Sequence, residues 1–211
     1  MNHPDRVFAR IARRYDRINA ILSLGRERAW RREGVRRLGP GLALDLGCGT
    51  GATDFEGRQV VGLDPVPEML ALSPVPAKVV GYGEALPFAD GSFGGVFSAY
   101  VFRNLTSVAL TLEEIARVLQ PGGVAVVIDL GRPRNPLLRM LHRLGTAIVL
   151  PLVGLLFAGA PGEYRYLHRS LDSLPQPEAM FAGGPLVLEE VWRMGLFGFV
   201  YGAKLKRPPA D

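Results

Sequence analysis

The stretch Leu42-Ala-Leu-Asp-Leu46 running into Gly47-Cys-Gly-Thr-Gly51 constrains the fold more than any other feature of the chain. A short, wholly apolar run that ends in glycines reads as a buried strand followed by a tight turn. Glycines spaced Gly-x-Gly-x-Gly let the backbone pass close to a ligand without Cβ clashes and offer N–H groups to it. The dinucleotide fingerprint has the spacing G-x-G-x-x-G, which this turn does not follow. At the end of the next apolar run, Val60-Val-Gly-Leu63, stands Asp64, an acceptor suited to ribose hydroxyls. The pair points to a nucleoside ligand at the carboxyl edge of a sheet. A plain tight turn and a plain helix cap are the structural alternatives.

Further runs of the same kind follow at 78–80, 95–101 and 124–128. Between the last two, Val108, Leu112, Ile115, Ala116 and Leu119 mark one face of a helix over 107–119, stopped by Pro121-Gly122-Gly123. Strand–helix–strand alternation argues for an α/β fold with a mostly parallel, doubly wound sheet. Residues 185–205 read as a closing antiparallel hairpin with Gly195 near its turn. Upstream, Val7, Phe8, Ile11, Tyr15, Ile18, Ile21 and Leu22 recur at three- and four-residue spacing, which predicts an amphipathic helix over 4–24. A second helix covers 27–38 and stops at Gly39-Pro40.

Of the 211 residues, 48% are hydrophobic, and the net charge is only +5, so general disorder is excluded. The charge is uneven. Residues 1–40 carry eleven Arg against Asp5, Asp16, Glu27 and Glu33, a net +7, and the other 171 residues come to −2. The chain therefore divides into a basic helical arm, 1–40, and a near-neutral body, 41–211, within a single domain. Such an arm suits nucleic acid, an anionic membrane face or an acidic substrate; a solvated helix face is the bland alternative. The single cysteine, Cys48, excludes an internal disulfide, and the first forty residues hold no apolar signal-like run, so the expected compartment is the cytoplasm. Nineteen uncharged positions, 144–162, approach the length of a membrane span, but Pro151 and three interior glycines interrupt them. They read instead as a buried or lid-like segment within 132–175. No Cys/His spacing suggests a metal, and no nucleophile elbow is present.

Asp45-Leu-Gly-Cys-Gly-Thr-Gly51 resembles the first motif of class I methyltransferases that use S-adenosylmethionine. More narrowly, the chain resembles the ubiquinone/menaquinone biosynthesis C-methyltransferases, through Tyr15-Asp16, Asn19, Ser23-Leu-Gly25, Pro67-Glu-Met-Leu70, Glu84-Ala-Leu-Pro-Phe88, Arg103-Asn104, Pro121-Gly-Gly123 and Tyr164-Arg-Tyr-Leu167. The resemblance implies a Rossmann-like fold, S-adenosylmethionine as cofactor, and a demethylated quinol with a long apolar tail as substrate; methylation of another small molecule, or a methyltransferase-like protein of weak or no activity that binds a ligand or partner, stands as the alternative. It places Asp45, Gly47, Gly49, Gly51, Asp64, Met69 and Glu84 at the cofactor and Tyr164 and Tyr166 along the acceptor channel. Arg103 and Asn104 emerge from the carboxyl end of an apolar strand. Together with the resemblance this sets them beside the quinol ring, Arg103 stabilising the quinolate and Asn104 orienting a ring oxygen; for Arg103, an ordinary strand-end arginine paired with a carboxylate is the alternative. For Tyr15, placing the acceptor or closing the site stands beside plain helix packing. A lipophilic substrate implies work at the inner membrane face, with the basic arm meeting anionic lipid. Nucleic acid is not expected as a partner, and pairing into a homodimer stays open.

Three departures from the family pattern stand out. The family's Gly-Asp-Ala-Glu reads Gly81-Tyr82-Gly83-Glu84, which puts Tyr82 at an acidic position near the adenine amino group. Its Phe-Asp reads Phe93-Gly94. Only nine residues separate Gly51 from Val61, which cuts the intervening helix to about one turn.

Overall fold

The buried apolar runs assemble into one sheet in the computed structural model, which describes residues 3–153, 171 and 175–209. The strands are β1 (Ala43–Leu46), β2 (Val60–Asp64), β3 (Ala77–Val80), β4 (Phe93–Ala99), β5 (Leu119–Leu130), β6 (Val187–Met194) and β7 (Val200–Lys206). Their order is β3-β2-β1-β4-β5-β7-β6, parallel throughout except for β7, which runs antiparallel to both its neighbours. Every residue of β1 and β4 is buried, as central parallel strands covered on both faces require.

The described α-helices are α1 (His3–Leu22), α2 (Glu27–Val35), α3 (Pro67–Leu70), α4 (Val108–Val118), α5 (Pro136–Val153) and α6 (Pro177–Met180), and α2 and α4 pack on opposite faces of the sheet. Alternate residues of β5 sort between two cores. Ala125 and Val127 join Leu112, Ile115 and Val118 of α4, whereas Val124, Val126 and Ile128 join Trp30 and Val35 of α2. Helix α4 starts at Ser107, whose hydroxyl oxygen accepts the Leu110 N–H at 3.2 Å. It ends one residue early, because Leu119 is already extended and paired with Phe93.

Two local expectations change. Residues 47–59 contain no helix at all. Nine residues must return the chain to the start of a parallel strand, and a helical turn would advance only about 1.5 Å per residue against roughly 3.3 Å for extended chain. The chain turns instead at Glu56 and Gly57, both at positive φ, and buries Phe55 edge-on against Phe97. The missing acid after Phe93 also has a cause. A Cβ on Gly94 would run into the carbonyl oxygen of Pro40, where the linker from α2 crosses β4. No side chain fits there.

The apolar segment 144–162 lies partly in α5, and its remainder from 154 is outside the described residues. Among the described residues, no helix is long and apolar enough to cross a membrane.

Candidate active site

The strand order reverses between β1 and β4, and the crevice at their carboxyl ends is where an open α/β sheet receives ligands. A narrow cleft opens there, lined by Gly47, Cys48, Gly49, Thr50, Asp64, Met69, Glu84 and Asn104 of the expected set and its neighbours. Glycine is required in the turn. Gly47 has φ +71°, and a Cβ on it would strike the Val101 side chain; Gly51 has φ +74°, and its Cβ would lie 2.5 Å from Ser73 Oγ.

Four of the turn's N–H groups are used within the protein rather than offered to a ligand as the spacing suggests. Gly47 and Cys48 both donate to Leu63 O, Gly49 donates to Asp64 Oδ2 at 2.9 Å, and Gly51 donates to Cys48 O. The first three lock the turn against β2, and the last closes the turn on itself. Asp64 accepts a second N–H from Val66 at 2.9 Å, and burial pushes its carboxyl up to about 6 against those two bonds. Two oxygens with two bonds between them keep room for hydroxyl donors.

Asp45 lies beneath the turn rather than in the cleft. It is fully buried, its Oδ2 has no hydrogen-bond partner, and burial pushes it up to about 7, partly offset by Arg31. Gly51 faces a neighbouring hollow beside Asp16 and Glu27. Glu84 reaches the cleft, but its Oε1 accepts the Thr106 and Ser107 N–H groups at 2.7 and 3.2 Å, at the approach to α4. Cys48 is buried with its thiol pushed up by desolvation, and so stays neutral.

Arg103 and Asn104 part company. Asn104 lines the cleft and donates from Nδ2 to Tyr100 O at 3.3 Å. Arg103 points into a second, largely apolar cavity of about 350 Å³, lined by Leu22, Trp30, Tyr100, Leu130, Leu141 and Phe199 among others. Its guanidinium is held at 2.6 Å by Asp129, whose side chain is wholly buried. The two residues sit on a short 3₁₀ turn, Phe102–Asn104, where successive side chains diverge by about a third of a revolution. Arg103 thus lines the apolar chamber and Asn104 the cleft, on either side of Tyr100.

Two residues at this site carried no functional signal in the sequence. Tyr100, at φ +67°, lines both cavities and forms their shared wall. Arg31 lines the cleft with its guanidinium 5.1 Å from the Tyr100 ring centre; it donates to Thr53 Oγ1 at 3.0 Å, and its Nε is buried without a partner. A strained tyrosine at a strand end is a product of packing that no spacing rule announces. Tyr15 belongs to α1, and the position of its side chain is not described; Tyr164 and Tyr166 lie outside the described residues. Among the described residues, no group of His, Cys, Asp or Glu could hold a metal ion.

With this geometry in hand, comparison with known proteins decides the family. A family model described as the ubiE/COQ5 methyltransferase family matches residues 2–183. The chain belongs to that family. This ubiE/COQ5-family chain is 38% identical over 193 residues to a demethylmenaquinone methyltransferase of Thermus thermophilus, covering 83% of the chain and 88% of the relative. It is 38% identical over 191 residues to one of Deinococcus radiodurans, with coverages of 82% and 79%. A solved methyltransferase of Thermotoga maritima superposes with TM-score 0.63 at 17% identity, covering 97% of this chain and all of that one. That last likeness speaks for the fold, which is that of class I methyltransferases. The chain is therefore an S-adenosylmethionine-dependent methyltransferase of the ubiE/COQ5 family.

Proposed function

We propose that this methyltransferase transfers a methyl group to a ring carbon of a demethylated quinol, demethylmenaquinol in the first instance. The observation that carries the reading is the meeting of two unlike cavities at Tyr100. One is a polar cleft at the sheet's switch point, and the other is an apolar chamber with one buried ion pair. The names of the relatives favour a quinol, and the chamber's lining suits a lipophilic one.

The cleft's residues fit S-adenosylmethionine. The orphaned Nε of Arg31 offers a donor for a carboxylate. Asp64 accepts from ribose hydroxyls, and Val66 and Met69 form an apolar wall. Gly47 and Gly49 allow close backbone approach, and Asp45 underlies them as support. When bound, the cofactor supplies a methyl group already activated by its sulfonium.

What remains for the chain is alignment, exclusion of water and stabilisation of the acceptor's charge. Arg103, fixed by Asp129, stabilises a quinolate oxygen in the chamber. Asn104, across the Tyr100 wall, orients groups in the cleft. With the acceptor carbon held in line with the methyl, a carbon–carbon bond would form as the methyl–sulfur bond breaks with its electron pair left on sulfur, and the ring proton would pass to a neighbouring quinol oxygen. Residues 132–175 serve as the acceptor's lid, a reading supported by Leu141, His142 and Thr146 on the chamber wall. Tyr15, Tyr164 and Tyr166 are assigned to the same acceptor channel. A row of exposed apolar residues on α5, Leu137, Met140, Leu141, Leu144 and Ile148, supports work at a membrane face.

Methyl transfer from labelled S-adenosylmethionine to reduced demethylmenaquinone tests the reading. Product carrying one label on the ring is the expected result. Cofactor binding without transfer to any demethylated quinol would replace the quinol with another small acceptor.

A further inference from the structure

Helix α1 does more than carry charge. Asp5, Ala9, Ala12 and Asp16 recur at i, i+4, i+7 and i+11 and so share one face. That face is laid over the cleft. The Tyr82 hydroxyl donates to Asp5 Oδ2 at 3.0 Å, Ala9 and Ala12 pack against Val66 and Met69, and the Thr50 hydroxyl donates to Asp16 Oδ1 at 2.7 Å. Asp5 is buried, 6% exposed, and with Tyr82 it lines the cleft.

The topology says which part of a nucleoside cofactor meets this pair. Asp64, at the end of β2, takes the ribose. The reacting methyl must face the acceptor chamber, which joins the cleft at Tyr100, beyond β4. The sheet order β3-β2-β1-β4 then leaves the purine on the β3 side of Asp64, where Tyr82 follows β3 and Asp5 hangs above it. A purine with an exocyclic amino group presents hydrogen-bond donors there. Asp5 can only accept when ionised, and the Tyr82 hydroxyl, its proton committed to Asp5, has a lone pair left.

We propose that Asp5 and Tyr82 form the purine-amino acceptor of the cofactor site, so that docking of α1 and binding of the cofactor strengthen each other. The reading rests on S-adenosylmethionine occupying the cleft. The cleft under α1 has about 100 Å³ of free space, below the several hundred usual for ligand sites, so α1 moves to admit the cofactor. A ligand that bonds to Asp5 returns the arm to the body, and the coupling is reciprocal.

The test compares S-adenosylhomocysteine with S-inosylhomocysteine, in which a carbonyl oxygen replaces the amino group. Calorimetry on the full chain is expected to show wild type preferring the adenosyl ligand about tenfold, as one charge-assisted hydrogen bond allows. Asp5→Asn should lose most of that preference, chiefly by weaker adenosyl binding, and Tyr82→Phe should lose part of it. Amide exchange over residues 5–20 should slow on adenosyl binding in wild type and much less in Asp5→Asn. An Asp5→Asn protein that keeps both the wild-type preference and the arm protection overturns the proposal. Absence of any adenosyl binding by wild type would instead remove the cofactor reading beneath it. Tyr82→Phe, which keeps the ring, covers the case in which Asp5→Asn fails to fold.

Discussion

At the scale of single residues, burial sets the behaviour of the acids around the cleft. Asp64 is pushed up to about 6, so below that pH it becomes protonated and loses the charge that attracts ribose hydroxyls. Affinity for S-adenosylhomocysteine, measured calorimetrically, should therefore fall as pH drops through 6. Asp64→Asn should bind more weakly by about 1.5–3 kcal/mol and lose that pH dependence. The sign for stability is opposite. Asp45 and Asp64 both have folded pKa values raised above the unfolded 3.8, so their stabilising contribution is present below about pH 4 and is lost as pH rises through 6 to 7. Denaturant unfolding of the cofactor-free protein should show this slope, and Asp45→Asn should flatten it; a parallel slope in the variant would acquit Asp45. Arg103 and Asp129 form a buried pair. Arg103→Leu strands a buried carboxylate and should cost about 3–5 kcal/mol, whereas Arg103→Leu with Asp129→Leu should recover most of the stability. The double variant should nevertheless be inactive in methyl transfer. Wild-type turnover by it would take Arg103 out of the acceptor site. That Arg103 and Asn104 emerge at a strand end was legible in the chain, because an apolar run preceded them. Their divergence into two cavities was not, since it depends on the 3₁₀ turn that follows β4.

At the scale of elements, periodicity located helices better than it located their contacts. The spacing from Val7 to Leu22 announced α1, and the helix is there. Among the described residues, the contacts that lay it over the cleft come from Asp5, Ala9, Ala12 and Asp16, two of them charged, which an apolar-face reading passes over. Of the apolar stripe, Leu22 reaches the apolar chamber and Ile21 is exposed. The connection between β1 and β2 lacks even one helical turn, and the linker after α2 crosses β4 closely enough to demand Gly94. Restoring the family's acid there, Gly94→Asp, should destabilise by about 2 kcal/mol or more, because Pro40 has backbone rather than a flexible side chain in the way. That corresponds to a Tm lower by roughly 4–8 °C for a chain of this size. An unchanged Tm would show that the linker yields.

At the scale of the whole molecule, a +7 arm rests on a −2 body, and its helix brings Asp5 to the wall of the cleft. With the exposed apolar row of α5, this arrangement predicts salt-sensitive binding to vesicles containing anionic lipid and weak binding to neutral ones. Flotation at low and high salt checks it, and equal binding to both vesicles would remove the arm's role. The sequence by itself determined the parallel sheet, the glycine turn, the acid after β2 and the family, because these depend on local period, chain stiffness and short motifs. Only the tertiary structure decided that Tyr100 stands between two cavities, that Arg31 enters one and Arg103 the other, and that Asp5 comes to rest against Tyr82, seventy-seven positions away. Contacts of that kind follow from how elements stack and where one linker crosses another. No local pattern in a chain encodes them one residue at a time.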